Sequence, residues 1–291
     1  MLFGMASDAL QDFIARNPRL FILTGAGCST DSGIPDYRDA DGGWKRTQPV
    51  QYRAFMDEPA TRKRYWARSL VGWRRFRRAR PNDAHRALAA LEQQGGVGLL
   101  VTQNVDRLHQ AAGSTNVVDL HGRLDLVRCM GCEGRLPREE LQLELLARNP
   151  AWSDLDARVA PDGDADLDGF DFSAFEVPDC PSCGGLLKPD VVFYGESVPK
   201  DRVELAMRGV READAMLVVG SSLMVYSGYR FAREAATAGK PIVTVNLGRT
   251  RADDLVSLKV TQPCSIALAF LLPAGDVTAA AAPVEGVPAT L

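Results

Sequence analysis

Several things are missing from this 291-residue chain. It has no apolar run near the roughly 20 residues that cross a bilayer, so no spanning helix is expected. It begins MLFGMASDAL, without a basic stretch or a long apolar one, so export is not expected either. There is no basic excess: 34 Lys and Arg face 37 Asp and Glu, a net charge of -3, which disfavours a dedicated nucleic-acid binder. Cysteine is scarce, and six in this length do not make a disulfide scaffold. Histidine is scarcer still, confined to His85, His109 and His121. Two nucleotide fingerprints are absent. Thr30 stands where G-x-G-x-x-G needs its third glycine, and no Gly-Lys-Ser or Gly-Lys-Thr occurs. No internal repeat is found. Bulk disorder is excluded, since 46% of residues are hydrophobic and 24% charged.

What is present is an alternation. Short apolar runs at Leu20–Thr24, Val97–Thr102, Val117–Leu120, Ala215–Gly220 and Pro241–Asn246 read as buried strands. Helix-like stretches at 82–94, 200–213 and 227–239 separate several of them, and another covers 6–16. Strands alternating with helices of this length predict an α/β protein, with a Rossmann-like parallel sheet carrying helices on both faces.

One region breaks that rhythm. Residues 123–188 hold Cys129-x-x-Cys132 and Cys180-x-x-Cys183, a helix-like stretch near 138–148 and the acidic segment PDGDADLDGFD at 161–171. Four thiolates in two C-x-x-C pairs, 47 residues apart, suit a closed tetrahedral zinc site with no position open to water. Cys129, Cys132, Cys180 and Cys183 are therefore read as ligands of one structural zinc, and 123–188 as an inserted zinc-binding module. The flanking segments 1–122 and 189–273 form the discontinuous sheet domain. The Ala-, Pro- and Val-rich tail at 274–291 is expected to be disordered.

The first strand runs into Gly25-Ala26-Gly27, where backbone without Cβ can approach a pyrophosphate and a following helix N-terminus can offer free N–H groups. The loop continues through Ser32, Asp36, Tyr37 and Arg38, with Arg38 available to a phosphate and Tyr37 able to shield a ligand. The second strand ends in Gln103-Asn104-Val105-Asp106, at the edge where open α/β sheets bind ligands. A bland account of Asn104 or Asp106 is a helix cap. His121 follows the third strand, and imidazole titrates near neutrality, which suits proton removal from a hydroxyl.

The strings GAGCSTDSGIPDYR (25–38), TQNVDRLH (102–109), LHG (120–122), KPDVVFYGE (188–196), GSSL (220–223) and VNLG (245–248) resemble, in order and spacing, the motifs of the sirtuin family. KPDVVFYGE, the long intercysteine segment with NPAWS and APDGD, and VYSGYRF are most similar to its class II branch. The resemblance covers roughly 20–270 and implies an NAD-dependent protein-lysine deacetylase or deacylase. It implies NAD as co-substrate, held by Gly25, Ala26, Gly27, Ser32, Asp36, Tyr37, Arg38, Gln103, Val105, Gly220, Ser221, Ser222, Asn246, Leu247, Gly248 and Cys264. Asn104 and Asp106 would hold the nicotinamide end. The acyl oxygen would attack the ribose, His121 would act as general base, and the products would be free lysine, nicotinamide and O-acyl-ADP-ribose. Val191, Val192, Phe193, Tyr194 and Gly195 would pair with an extended acyl-lysine peptide.

Some questions stay open at this level. Mono-ADP-ribosyl transfer to protein uses the same NAD cleavage, and a non-catalytic NAD- and zinc-ribbon binding module is a rival of another class. Tyr65-x-x-Arg68 puts both side chains on one helical face; the pair resembles the Tyr-x-x-Arg of deacylases that take acidic acyl groups, which implies a candidate site for a carboxylate-bearing acyl chain, the other reading being two surface residues of the basic helix. Nine Lys or Arg against one Glu over 58–80 read as the solvated face of a long helix, or as a docking face for an acidic partner. No membrane partner is expected, and the expected location is the cytoplasm.

Overall fold

The computed structural model describes residues 2–45, 49–157, 163–167 and 169–273. The tail at 274–291 and three positions of the acidic segment (161, 162 and 168) lie outside these described residues. Along the chain, α1 (Leu2–Arg16) leads into β1 (Leu20–Thr24), and α2 (Tyr52–Asp57), α3 (Pro59–Phe76) and α4 (Asp83–Gln93) precede β2 (Val97–Thr102). A single-turn α5 (Leu108–Ala111) leads to β3 (Val117–Asp119). Then come β4 (Gly122–Cys129), β5 (Arg135–Pro137), α6 (Arg138–Arg148) and β6 (Leu187–Val191). The chain closes with α7 (Lys200–Glu212), β7 (Ala215–Val219), α8 (Tyr226–Thr237), β8 (Ile242–Val245), β9 (Leu258–Val260) and α9 (Cys264–Ala267).

Six strands form one sheet in the order β3-β2-β1-β7-β8-β9, every neighbouring pair parallel. The alternation of side chains explains why both faces are covered. Leu20, Ile22, Leu217, Val219, Val243 and Val245 point to one face and pack with Leu10 of α1, Leu88 of α4 and Ala267 of α9. Phe21, Leu23, Met216, Val218 and Ile242 point to the other and pack with Val210 of α7 and Phe231 of α8. The chain winds outward from β1 to β3 and again from β7 to β9. The crevice between β1 and β7 is therefore the topological switch point, where such sheets bind ligands at the carboxyl ends of their strands. The edge strand β9 was not read from the sequence; its LKV is only three residues long and carries a lysine.

The second sheet, β5-β4-β6, is antiparallel and belongs to the inserted segment. Its core is not self-contained. Trp66, Ala67, Leu70 and Val71 of α3 pack in one cluster with Val127, Leu141, Phe175 and Leu187. The basic residues of the 58–80 stretch divide: Arg64, Arg75, Arg77, Arg78 and Arg80 are exposed, whereas others are engaged with the insert. Arg68 donates to the Ala165 carbonyl at 2.8 Å and Lys63 to that of Ser173 at 2.5 Å, while Arg74 donates to the carbonyls of Ser153 and Leu155. Arg75 pairs with Asp156 and Arg77 with Glu139. Part of the basic stretch thus docks on the insert of the same chain, chiefly through backbone carbonyls. Contact is close: a Cβ on Gly72 would lie 2.1 Å from the Gly163 carbonyl oxygen. Arg138 is buried between Trp66 and Trp73, its guanidinium 5.5 and 5.2 Å from their rings, and burial draws its pKa down to about 10.

Candidate active site

A cleft of about 1000 Å³ opens over the β1/β7 crevice. Its floor is the segment after β1. The expected regular helix does not follow the glycines; two 3₁₀ turns, Ala26–Cys28 and Thr30–Ser32, stand there instead. The glycines also serve a contact between two loops. A Cβ on Gly25 would meet Ser221 Cβ at 2.8 Å, one on Gly27 would meet Gly220 Cα at 3.0 Å, and one on Gly220 (φ +62°) would meet Cys28 N at 2.2 Å. Absent side chains let the loops after β1 and β7 touch directly, with Gly27 N–H donating to the Gly220 carbonyl at 2.8 Å. Gly25, Ala26, Gly27, Gly220, Ser221 and Ser222 all line the cleft.

The loop after β2 supplies the polar cluster. Asn104 Nδ2 donates to the Gly25 carbonyl and to Ser29 Oγ, both at 3.0 Å, and Ser29 Oγ donates to Asp106 Oδ2 at 2.7 Å. Burial raises the Asp106 pKa, while bonds from Leu108 N–H and Ser29 oppose the rise. Ser29 was missed by sequence reasoning; a serine inside the glycine string was the available signal. Beneath it lies a buried trio of Cys28, His85 and His109. Burial drives the Cys28 pKa up, the His85 pKa down and the His109 pKa down to about 4, so all three are neutral.

His121 stands between β3 and β4. Gly122 (φ +85°) makes the turn, where a Cβ would strike the Asp190 carbonyl oxygen at 2.1 Å. The His121 carbonyl accepts from Val192 N–H at 2.8 Å, which ties the imidazole to the segment after β6. His121 Nδ1 lies 3.0 Å from the Gln103 carbonyl oxygen, and Nε2 lies 2.8 Å from Ser227 Oγ. A carbonyl oxygen only accepts, so Nδ1 carries the proton and Nε2 keeps its lone pair. Burial lowers the His121 pKa to about 4, the Gln103 bond opposes this, and the charges of Arg202 and Arg230 reinforce it. Gln103 Oε1 accepts from Ser221 Oγ at 2.6 Å, which joins the β2 and β7 loops.

The remaining expected residues divide. Asn246, Leu247, Gly248 and Cys264 line one end of the cleft; Asn246 Nδ2 donates to the Gly248 carbonyl at 3.0 Å, and burial pushes the Cys264 pKa up to about 12. Val105, Asp36, Tyr37 and Arg38 line it as well. Arg38, however, is engaged within its own loop, stacked 4.0 Å from the Trp44 ring and donating to the Gly42 carbonyl at 2.7 Å. Asp36 pairs with Lys45 at 2.5 Å. Val191, Val192, Phe193, Tyr194 and Gly195 line the other end, with Tyr65 packed 5.3 Å from the Phe193 ring. Two residues are not brought to the cleft. Ser32 Oγ faces away and accepts from Asn82 Nδ2 at 3.0 Å. Arg68, one helical turn beyond Tyr65, is turned to Ala165, so the expected Tyr65/Arg68 pair does not form there.

The four module thiols converge. Cys129 Sγ lies 3.5 Å from Cys183 Sγ, Cys132 Sγ lies 3.8 Å from Cys180 Sγ, and all four fall within 4.8 Å of one another. The N–H of Cys132, with that of Gly131, points at Cys129 Sγ and draws its pKa down to about 6. Four sulfurs at this spacing, with N–H groups directed at one of them, fit a tetrahedral Zn²⁺.

A doubly wound α/β sheet, with a four-cysteine insert and a cleft centred on one histidine and an Asn–Ser–Asp cluster, defines a class of NAD-site proteins. Residues 25–227 match the model of the Sir2 family, and the chain belongs to that family. It is 69% identical over 263 residues to an NAD-dependent protein deacetylase of Xanthomonas campestris pv. campestris (strain 8004), with 90% of each chain covered. It is 66% identical over 268 residues to NAD-dependent protein deacetylase 2 of Bradyrhizobium diazoefficiens, covering 92% of this chain and 98% of that one. Among solved structures, Sir2 with a p53 peptide and NAD+ superposes with a TM-score of 0.69 at 31% identity, covering 90% and 94% of the two chains. Sir2 bound to an acetylated peptide gives 0.69 at 31% identity, covering 91% and 94%.

Proposed function

We propose that this chain is an NAD-dependent protein-lysine deacetylase of class II type, releasing nicotinamide and O-acyl-ADP-ribose from NAD and an acyl-lysine peptide. One observation carries the reading: His121, with its proton on Nδ1 and an acceptor lone pair on Nε2, lines the same cleft as the Asn104–Ser29–Asp106 cluster. NAD supplies a ribose carbon activated by its nicotinamide leaving group. Gly25, Ala26, Gly27, Gly220, Ser221 and Ser222 hold the diphosphate end, and Asn246 to Gly248 with Cys264 hold the adenosine. Asn104 and Asp106 orient the nicotinamide end, with Ser29 fixing both side chains. Val191 to Gly195 pair with the extended peptide, while Tyr65 and Phe193 exclude water from the acyl chain. His121 accepts the ribose hydroxyl proton at Nε2, so the freed oxygen can attack the acyl carbon.

Zinc, held by Cys129, Cys132, Cys180 and Cys183, cross-links the module and leaves no open ligand position. The division 1–122 with 189–273 against 123–188 is extended by α2 and α3, which share the module's core. The described residues contain no helix long and apolar enough to cross a membrane, and reduced cysteines suit a cytoplasmic location. An acetyl-lysine peptide incubated with NAD is expected to yield free lysine and O-acetyl-ADP-ribose by mass spectrometry. His121→Ala should abolish that product while NAD binding persists. A modified protein without free lysine would instead establish mono-ADP-ribosyl transfer.

A further inference from the structure

Of the two polar contacts to the His121 ring, the shorter comes from Ser227. It lies in the first turn of α8, and its Oγ is 2.8 Å from His121 Nε2. Nδ1 carries the ring proton, held by the Gln103 carbonyl, so the serine hydroxyl is the donor in this contact. The serine cannot drift from its place, because α8 is pressed onto Gln103. A Cβ on the next residue, Gly228, would meet Gln103 Nε2 at 2.6 Å. One residue, Gln103, thus fixes both sides of the contact. Its carbonyl sets the ring, and its side chain sets the height of the helix that brings Ser227. Both His121 and Ser227 line the cleft.

We infer that Ser227 is a further catalytic residue, whose hydroxyl relays the substrate proton to His121. As a substrate hydroxyl closes on Ser227 Oγ, its O–H bond breaks and a new O–H forms on the serine. The serine's own O–H breaks in the same movement, and an N–H forms at Nε2. The serine ends unchanged, the imidazole gains one positive charge and the substrate oxygen one negative charge. This step rests on the deacylase reading, in which the hydroxyl belongs to the ribose; the Ser227–His121 contact does not.

The test compares wild type, Ser227→Ala and Ser227→Thr. Ser227→Ala should lower kcat for deacetylation about tenfold, the worth of one well-placed hydrogen bond, with KM for peptide and NAD unchanged. Exchange of labelled nicotinamide into NAD, which precedes the proton step, should keep its rate, and threonine should restore kcat. A kcat equal to or above wild type in Ser227→Ala overturns the inference, as does an equal loss of exchange and deacetylation. A second readout needs no turnover. With three histidines in the chain, ¹⁵N ring spectra are tractable. The Nε2 resonance of His121 should move in Ser227→Ala, with His85 and His109 unmoved. A His121 resonance identical in both proteins overturns the contact itself, whatever the activity. Absence of nicotinamide release from wild type would strike the deacylase reading alone.

Discussion

At the scale of the residue, the histidines carry the pH behaviour. His109 is buried and titrates at about 4 in the folded chain, against 6.5 when free. His85 shifts in the same direction. Below pH 6.5 the unfolded chain binds protons that the folded one refuses, so stability falls as pH drops and levels off near the folded value. The loss approaches about 1.4 kcal/mol per histidine for each pH unit in that window. Urea midpoints are expected to decline between pH 6.5 and about 5.5, above the range of ordinary carboxylates; flat midpoints would contradict the buried, neutral trio. His121, drawn down to about 4, stays a free base across the same window, so its protonation should not limit turnover there.

Side-chain direction also marks where the sequence stopped being informative. Gly25 to Gly27, Gln103 to Asp106 and His121 were legible because each follows a buried apolar strand, and a parallel sheet collects such strand ends on one side. Ser32 and Arg68 were assigned to the site and lie elsewhere, since their directions are set by distant partners, Asn82 and Ala165, that no local spacing reveals. Ser29 and Ser227 were passed over for the same reason: their value comes from Asp106 and His121, 77 and 106 positions away.

At the scale of the element, α3 is the least expected piece. Its charge read as a solvated face or a docking face, and it is both: Arg64 and Arg75 are exposed, while Lys63, Arg68, Arg74 and Gly72 meet the insert. Gly72→Ala is expected to cost several kcal/mol, because a methyl group cannot share the 2.1 Å gap to the Gly163 carbonyl without moving backbone. Thermal unfolding should register the loss. Of α3 only Tyr65 and Phe76 reach the cleft, while its Gly25–Gly27 and Gly220–Ser222 part comes from the loops after β1 and β7, so KM for NAD should change little in the variant that remains folded at low temperature. Five of the six strands of the large sheet were legible almost to the residue because each is a short, largely apolar run; β9, with a lysine in three residues, was not. The module's strands were not, because GRLDLVRC and RLP alternate weakly and owe their pairing to the cysteine turns.

At the scale of the molecule, two bodies share one packing problem. The sheet closes its own core on both faces, whereas the insert borrows α2 and α3 and gathers four thiols at a spacing that fits zinc. Removal of zinc with a strong chelator should therefore unfold the insert and expose Trp66 and Trp73, seen as a red shift in tryptophan emission. The large sheet should keep its far-UV signal. Simultaneous loss of both would show that the two bodies fold as one.

The arginines and the lysine of α3 reach mainly for carbonyls of the peptide chain at Ser153, Leu155, Ala165 and Ser173. Every amino acid offers such a carbonyl. The latch therefore reads the path of the polypeptide and ignores its spelling. Saturation mutagenesis across 150–175 should tolerate wide changes of polar side chain. Altered loop length, which shifts the oxygens out of reach, should be rejected.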